Sequence, residues 1–377
     1  MVSRVAIIGA GWYGCHLGSS LKSLGFDVRV FEQHHRPLHE ASGNNQFRLH
    51  LGFHYPRHHG TRVQSRDGFN RFMERYPNLS REIPENIYAV PKAESLIDFA
   101  TYRLIMTSTG IEFREQTETS VPIREIAGLM LTGERVLLIE HARRFFRELL
   151  GDSLVLNHRV TSIEETGDHV MVEGEPYDLL VDASWGQQLG MPMPFFYEPT
   201  MLLYYETDHA HPAVTFVDGP LCSVYPTEDP NIYTLSSVPH TPLGRVHDPE
   251  EARRIRDGVS QDLVRAKVAA MEEQVMRYLP SFKESFRFVG PQLAIKTKPV
   301  GNFDDRSCSV FRRGRIFSVM SGKIDTIFFA MERILAFVES SRERAFSPLA
   351  SPLRRDIVTR TQQTREQGQV APVGASL

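Results

Sequence analysis

Between Arg4 and Glu32 the chain runs strand, glycine turn, helix, strand, acid, an order and spacing that few folds accept. The run RVAII at 4–8 is continuously apolar, as a parallel strand covered on both faces must be. GAGWYGCHLG follows with Gly9, Gly11, Gly14 and Gly18, and Leu17, Leu21 and Leu24 recur at helical spacing. A second apolar run, DVRVF, closes on Glu32, 18 residues past Gly14. Together these make the dinucleotide fingerprint. Gly9 permits the tight turn, and Gly11 lets a pyrophosphate approach the positive end of the helix. Gly14 and Gly18 let that helix lie close to the sheet, and Glu32 accepts hydrogen bonds from ribose hydroxyls.

The remaining pattern is that of an interrupted α/β chain. Residues 34–59 are irregular and rich in histidine, glycine and asparagine. Helices are predicted over 61–76, 96–109 and 140–150, and strands over 87–90, 155–163 and 169–172. An apolar strand over 177–183 ends in a second glycine turn, Ser184-Trp185-Gly186. Residues 201–238 alternate as antiparallel strands do, and 250–278 read as one long amphipathic helix with Arg253–Arg256 on its solvated face. A strand at 315–319, a turn at Ser321-Gly322-Lys323 and a helix over 325–340 close the pattern. The parallel α/β pieces thus lie at the beginning, middle and end. The expected fold class is α/β, a discontinuous Rossmann-like nucleotide domain (1–80, 135–190 and 300–345) with an inserted α+β substrate domain on an antiparallel sheet (81–134 and 191–299). Residues 346–377 read as a loosely held tail.

Composition removes other classes. A length of 377 residues exceeds what one domain normally holds. A net charge of −3 argues against dedicated nucleic-acid binding. Cys15, Cys222 and Cys308 form neither a disulfide framework nor a zinc-ligand spacing, which points to a reducing, cytoplasmic setting. The most apolar late stretch, 316–338, carries Lys323, Asp325, Glu332 and Arg333, so no membrane span is expected.

Four segments in order carry a family resemblance: GAGWYG with Glu32, ASGNNQ, YDLLVDASWG, and the terminal strand with SGKIDT. With them the chain resembles the D-amino-acid oxidase/glycine oxidase superfamily of FAD-dependent oxidoreductases over nearly its whole length. The resemblance implies FAD as cofactor, a small-molecule substrate oxidised at a C–N or C–O bond by hydride transfer to flavin N5, and dioxygen as acceptor. SGKID stands where that family is usually glycine- and histidine-rich. The segment NNQFRLHLGFHYPR is similar to a subgroup found in biosynthetic settings. A second reading is a non-redox flavoenzyme similar to sugar-nucleotide mutases, to whose histidine loop HLGFHY bears a faint likeness.

The resemblance assigns FAD contacts to Gly9, Gly11, Trp12, Tyr13, Gly14, Glu32, Gln33, Val160, Ala183, Ser184, Gly186, Gly322, Lys323, Ile324, Asp325 and Thr326. Ser42, Asn44, Asn45, Gln46 and Arg48 are assigned to the cover of the pyrophosphate and ring edge. Lys323 and the helix start beyond it suit negative charge growing on a reduced flavin. Asp325 also suits a plain N-cap. His50 and His54 are candidates for acid–base work, substrate orientation or a covalent bond to flavin, against plain loop contacts to backbone, and Tyr204 and Tyr225 for orienting substrate against burial in the core. Tyr205 belongs to the same aromatic set. Lys296, Lys298 and Arg306 are available as anion anchors. A metal site is not expected, because Gly52 and Pro56 deny His50 and His54 a helix. His34, His35, His58 and His59 read as solvated loop residues.

Overall fold

The computed structural model describes residues 4–301 and 305–345, with side chains as far as 339. The expected tail at 346–377 lies outside the described residues. The chain divides into two compact units, Met1–Met331 and Glu332–Leu377. Of the second, the described part is the later turns of the Ile327–Ala345 helix.

One six-stranded sheet carries the nucleotide fingerprint. Its order is Ser309–Arg313, Ile316–Met320, Leu179–Asp182, Arg4–Ile8, Asp27–Phe31 and Leu154–Val155. All neighbours pair parallel except the first two. The apolar runs are continuous because both faces are covered. The Trp12–Ser23 helix lies on one face, where a Cβ on Gly18 would stand 2.6 Å from Val30 Cγ2. On the other, Ala6, Ile8, Phe31 and Leu180 pack against Val170, Val172 and Tyr177 of a small antiparallel sheet.

A second sheet has eight strands, ordered Arg287–Pro299, Phe195–Glu206, Ile232–Ser237, Cys222–Pro226, Ala213–Phe216, Asn86–Pro91, Ile126–Thr132 and Phe113–Gln116. Pairing is antiparallel apart from Ala213–Phe216 beside Asn86–Pro91. The period of two gives it unlike faces. Met201, Leu203, Tyr205, Val214, Phe216, Val224 and Leu235 form one core with Val264, Met271, Val275 and Phe282 of the helices Gln261–Met276 and Phe282–Ser285. The register Tyr204↔Thr234↔Tyr225 and Tyr88↔Thr215↔Ser223 puts polar groups on the other face. Segment 45–48 crosses that face: Asn45 O accepts from Gln292, Gln46 bonds Ser223, and Arg48 donates to Tyr88 and Thr215. A three-stranded sheet, Arg48–Leu49, Arg135–Leu137 and Ser80–Glu82, fixes the backbone at Arg48.

Several predicted elements shift. The long 250–278 helix is two, Pro249–Asp257 and Gln261–Met276; the chain breaks after Gly258, and Ser260 Oγ caps the second by accepting from Leu263 N–H. The 155–163 strand is likewise divided: Leu154–Val155 joins the parallel sheet, and Ile163–Glu165 the small antiparallel one. The 96–109 helix begins at Phe99, where Asp98 accepts from Thr101 N–H, and the last helix begins at Ile327. No helix among the described residues is long and apolar enough to cross a membrane.

Candidate functional site

Three glycine turns end three parallel strands and converge on one edge of the sheet, where α/β sheets place their ligands. At the first, Gly9 has φ +94° and donates its N–H to Phe31 O at 2.8 Å. A Cβ on Gly14 would stand 1.8 Å from Gly9 O, so only glycine lets the helix start this close to the strand. The helix opens at Gly11 with no side-chain cap, although Ser42 Oγ accepts from Trp12 N–H at 3.2 Å. Its first turn therefore points amide dipoles into the cleft. Glu32 accepts from Ala10 N–H at 2.9 Å and His34 N–H at 3.0 Å. Burial pushes its carboxyl up, against the pull of those two bonds.

The second turn passes through Trp185 (φ +63°) and Gly186 (φ +74°). The buried Asp182 carboxylate holds it by accepting from Ser184 and Leu189 N–H. At the third, Tyr13 OH donates to Lys323 O at 2.7 Å and meets Thr326 Oγ1 at 2.6 Å, tying the first turn to the last.

The cleft between these turns holds about 1240 Å³ of empty space, part of it open to solvent. Gly9, Gly11, Trp12, Tyr13, Glu32, Gln33, Ser42, Asn45, Val160, Ala183, Ser184, Gly322, Lys323 and Ile324 line it. Other candidates stand behind this wall. Gly14 packs on Gly9, Asn44 donates to His39 O and Glu40 O, and Gly186 O accepts from Tyr197 OH. Thr326 is bonded to Ser321. Asp325 is fully buried with Lys323 and Ser65 as its electrostatic partners, and neither carboxylate oxygen bonds an N–H of the helix that begins at Ile327. It is therefore not the N-cap it resembled.

Some residues read as solvent-facing belong to the site. Arg253 lines the cleft and donates to Gln187 Oε1 at 3.0 Å, and Arg256 pairs with the cleft residue Glu40 at 3.0 Å. The helix break at Gly258 confines this basic run to a short helix beside the cleft, which a continuous 250–278 pattern hides. His34 stacks on His39 at 3.9 Å, and His58 Nδ1 accepts from Thr61 N–H as the cap of the His59–Arg75 helix.

The Lys323 end is built from side chains. Lys323 is only 7% exposed; its Nζ lies 2.7 Å from His50 Nε2 and 4.2 Å from the centre of the Tyr55 ring. Burial pushes the Lys323 amine down, Arg306 and Arg48 add to that, and Asp325 and Glu134 oppose it. His50 and His54 are held neutral, well below the usual imidazole range, by burial and by Arg48 and Lys323. Burial pushes the Tyr55 phenol up to about 12. Arg48 donates to Tyr88 OH at 2.8 Å and Thr215 Oγ1 at 2.6 Å, and its guanidinium lies 4.0 Å from the Tyr225 ring centre. Tyr225 OH donates to Arg135 O, so this tyrosine is a platform for Arg48 and does not border the cleft. Tyr204 OH is engaged by Gln292 on the polar sheet face, and Tyr205 lies on the opposite, apolar face. Lys298 pairs with Glu198, and burial beside Lys298 lowers Lys296 to about 7. Among the described residues, no group of three His, Cys, Asp or Glu side chains is placed to hold a metal.

A glycine turn that admits no side chain, uncapped amides and a buried acid within reach define a dinucleotide-binding enzyme, and the cleft continuing to a second and third turn suits FAD. Residues 4–292 match the family model for FAD dependent oxidoreductases (DAO), and the chain belongs to that family. It is 59% identical over 335 residues to the FAD-dependent monooxygenase FPY4 of Fusarium mangiferae, covering 89% of this chain and 91% of that one. It is 26% identical over 375 residues to the FAD-dependent monooxygenase kojA of Aspergillus flavus, covering 90% and 87%. Glycine oxidase from Geobacillus kaustophilus shares the fold, with a TM-score of 0.67 at 15% identity over 90% of this chain and 95% of that one. So does L-alpha-glycerophosphate oxidase from Mycoplasma pneumoniae, solved with FAD bound, with a TM-score of 0.67 at 14% identity over 89% and 94%. The protein is an FAD-dependent oxidoreductase.

Proposed function

We propose that this enzyme oxidises a C–N bond of a small amine or amino-acid-like molecule, with dioxygen as the final acceptor. The observation that carries the reading is the 2.7 Å contact between Lys323, which lines the cleft, and His50, which stands behind it. An amine is an ammonium ion at neutral pH, and its nitrogen lone pair must be freed before the adjacent C–H can leave as hydride. Burial lowers Lys323, so its amine is suited to take that proton, while His50, held neutral, accepts from the lysine and orients it. Gly9, Gly11, Trp12, Glu32 and Ser42 would hold the ADP part of FAD, and Ser184, Gly322, Lys323 and Ile324 its ring end. FAD held there would supply the hydride acceptor, with dioxygen as the proposed final acceptor and hydrogen peroxide as its product. The substrate leaves as an iminium ion, which water hydrolyses to a carbonyl and ammonia.

The division into a FAD-binding domain (1–80, 135–190, 300–345) and a substrate domain (81–134, 191–299) is part of this proposal. It is supported by the strands: all of the six-stranded sheet falls in the first set and all of the eight-stranded sheet in the second.

The name of the 59% identical relative favours a second reading, in which one oxygen atom is inserted into the substrate. No observation favours the mutase-like alternative. A panel of amines and amino acids tests the proposal: the yellow holoenzyme is expected to bleach anaerobically with one class and to form peroxide in air. Bleaching by none of the panel would overturn it.

A further inference from the structure

Glu134, at the turn before Arg135–Leu137, is the acid at the centre of the Lys323 end, and its side chain is fully buried. Oε1 accepts from Leu51 N–H at 2.8 Å, and Oε2 accepts from Tyr88 OH at 2.7 Å. Arg48 Nη1 stands 3.9 Å away and balances its charge. A carboxylate sealed from water stays charged only when paired, as Arg48 pairs this one, and its place beside the site still calls for a reason.

The reason lies one ring away. His50 Nδ1 is 3.6 Å from Glu134 Oε1, while the opposite nitrogen, Nε2, is 2.7 Å from Lys323 Nζ. Two tautomers are open to a neutral imidazole. With the proton on Nδ1, the N–H has the Glu134 carboxylate as its near anion, at a distance longer than a hydrogen bond and with no other partner among the described residues, and the Nε2 lone pair meets the lysine. With the proton on Nε2, a lone pair faces the carboxylate, and the N–H either repels a lysine ammonium or ties up the lone pair of the neutral amine that is to take the substrate proton.

We propose that Glu134 is a positioning residue: it holds His50 in the Nδ1–H tautomer, which keeps Nε2 as the acceptor for Lys323 and steers the lysine proton away from the substrate nitrogen. The proposal rests on the reading of Lys323 as proton acceptor. His50, Tyr55, Asp325, Glu134, Arg306 and Arg48 act on Lys323; of these, Asp325 and Glu134 favour its charged form. Around His50 stand Lys323, Arg48, Glu134, His54 and Tyr55.

The test is a long-range proton–nitrogen NMR spectrum of the FAD-loaded enzyme labelled with 15N-histidine, with the His50 signals identified by their loss in His50→Gln. The wild type is expected to show the proton on Nδ1. Glu134→Gln is expected to mix the tautomers and to move the acid limb of kcat/KM down by about one pH unit, because an anion that favours the lysine cation is gone. Glu134→Asp is expected to restore both in part. A proton on Nε2 in the wild type overturns the proposal, as does a Glu134→Gln enzyme with the wild-type tautomer and limb. Should no amine be turned over, the oxidation reading fails and the wild-type tautomer alone decides the part of Glu134. Should Glu134→Gln not fold, the wild-type and Glu134→Asp spectra decide it.

Discussion

At the nucleotide end of the cleft the binding groups are backbone amides uncovered by glycines, whereas at the Lys323 end they are side chains sealed from water. The first end depends on space: Gly14 and Gly9 touch with no room for a methyl group. The second depends on charge balance: Arg48 with Glu134, and Lys323 with Asp325, share one buried corner. The two ends should fail in different ways, and mutation can separate them.

The largest effect is expected at the nucleotide end. Gly14→Ala forces backbone apart at the first turn; it should cost upwards of about 3 kcal/mol and leave the purified protein colourless. Gly167→Ala, a site with no atoms within 4 Å, should stay within about 0.5 kcal/mol of wild type and remain yellow. Denaturant titration and the visible spectrum read both. At the other end, Arg48→Met strands the Glu134 carboxylate, and a loss of about 3–5 kcal/mol is expected in the same titration. An unchanged midpoint would mean that Glu134 is not balanced by Arg48.

Glu32→Gln is milder. It sets a donor against one of two N–H groups the carboxylate accepts from and removes an acceptor for ribose hydroxyls, so it should cost about 1–3 kcal/mol and weaken FAD binding about 10–100-fold by fluorescence titration. Acid sensitivity should belong to the buried histidines. Burial lowers His16 to about 3 and holds His50 and His54 well below the usual range. The unfolded chain takes up protons that the folded one refuses, so stability is full above about pH 6.5 and falls on acidification by about 1.4 kcal/mol per pH unit for each histidine. His16→Gln should lower that slope by the share of one histidine in thermal midpoints taken between pH 7 and 5.

This contrast also explains what was legible in the chain. The nucleotide end is written locally: strand, turn, helix and acid lie within 29 residues, and the spacing of Gly9, Gly11, Gly14 and Glu32 is itself the geometry. Lys323 is marked by its glycine turn, and His50 by an unusual segment. Glu134, Tyr88 and Thr215 carry no such mark. Each sits in an ordinary apolar or turn context and meets Arg48 only because the three-stranded sheet and the polar face of the eight-stranded sheet bring it there. Tyr225 was visible as an aromatic but not as the platform under Arg48, since cross-strand register decides which way a residue in a strand faces. The basic residues 253–256 look solvated when the stretch is read as one helix, although Gly258 followed by Ser260 is the C-cap and N-cap pair that marks the break.

The central claim is that the Lys323 end prepares an amine for dehydrogenation, and the fate of the oxygen atoms tests it most directly. A single turnover under 18O2 with an amine that bleaches the enzyme, run in unlabelled water, should give one hydrogen peroxide per amine and a carbonyl product without label. Label in the organic product, with peroxide missing in equal amount, would contradict the account and make the enzyme an oxygen-inserting one.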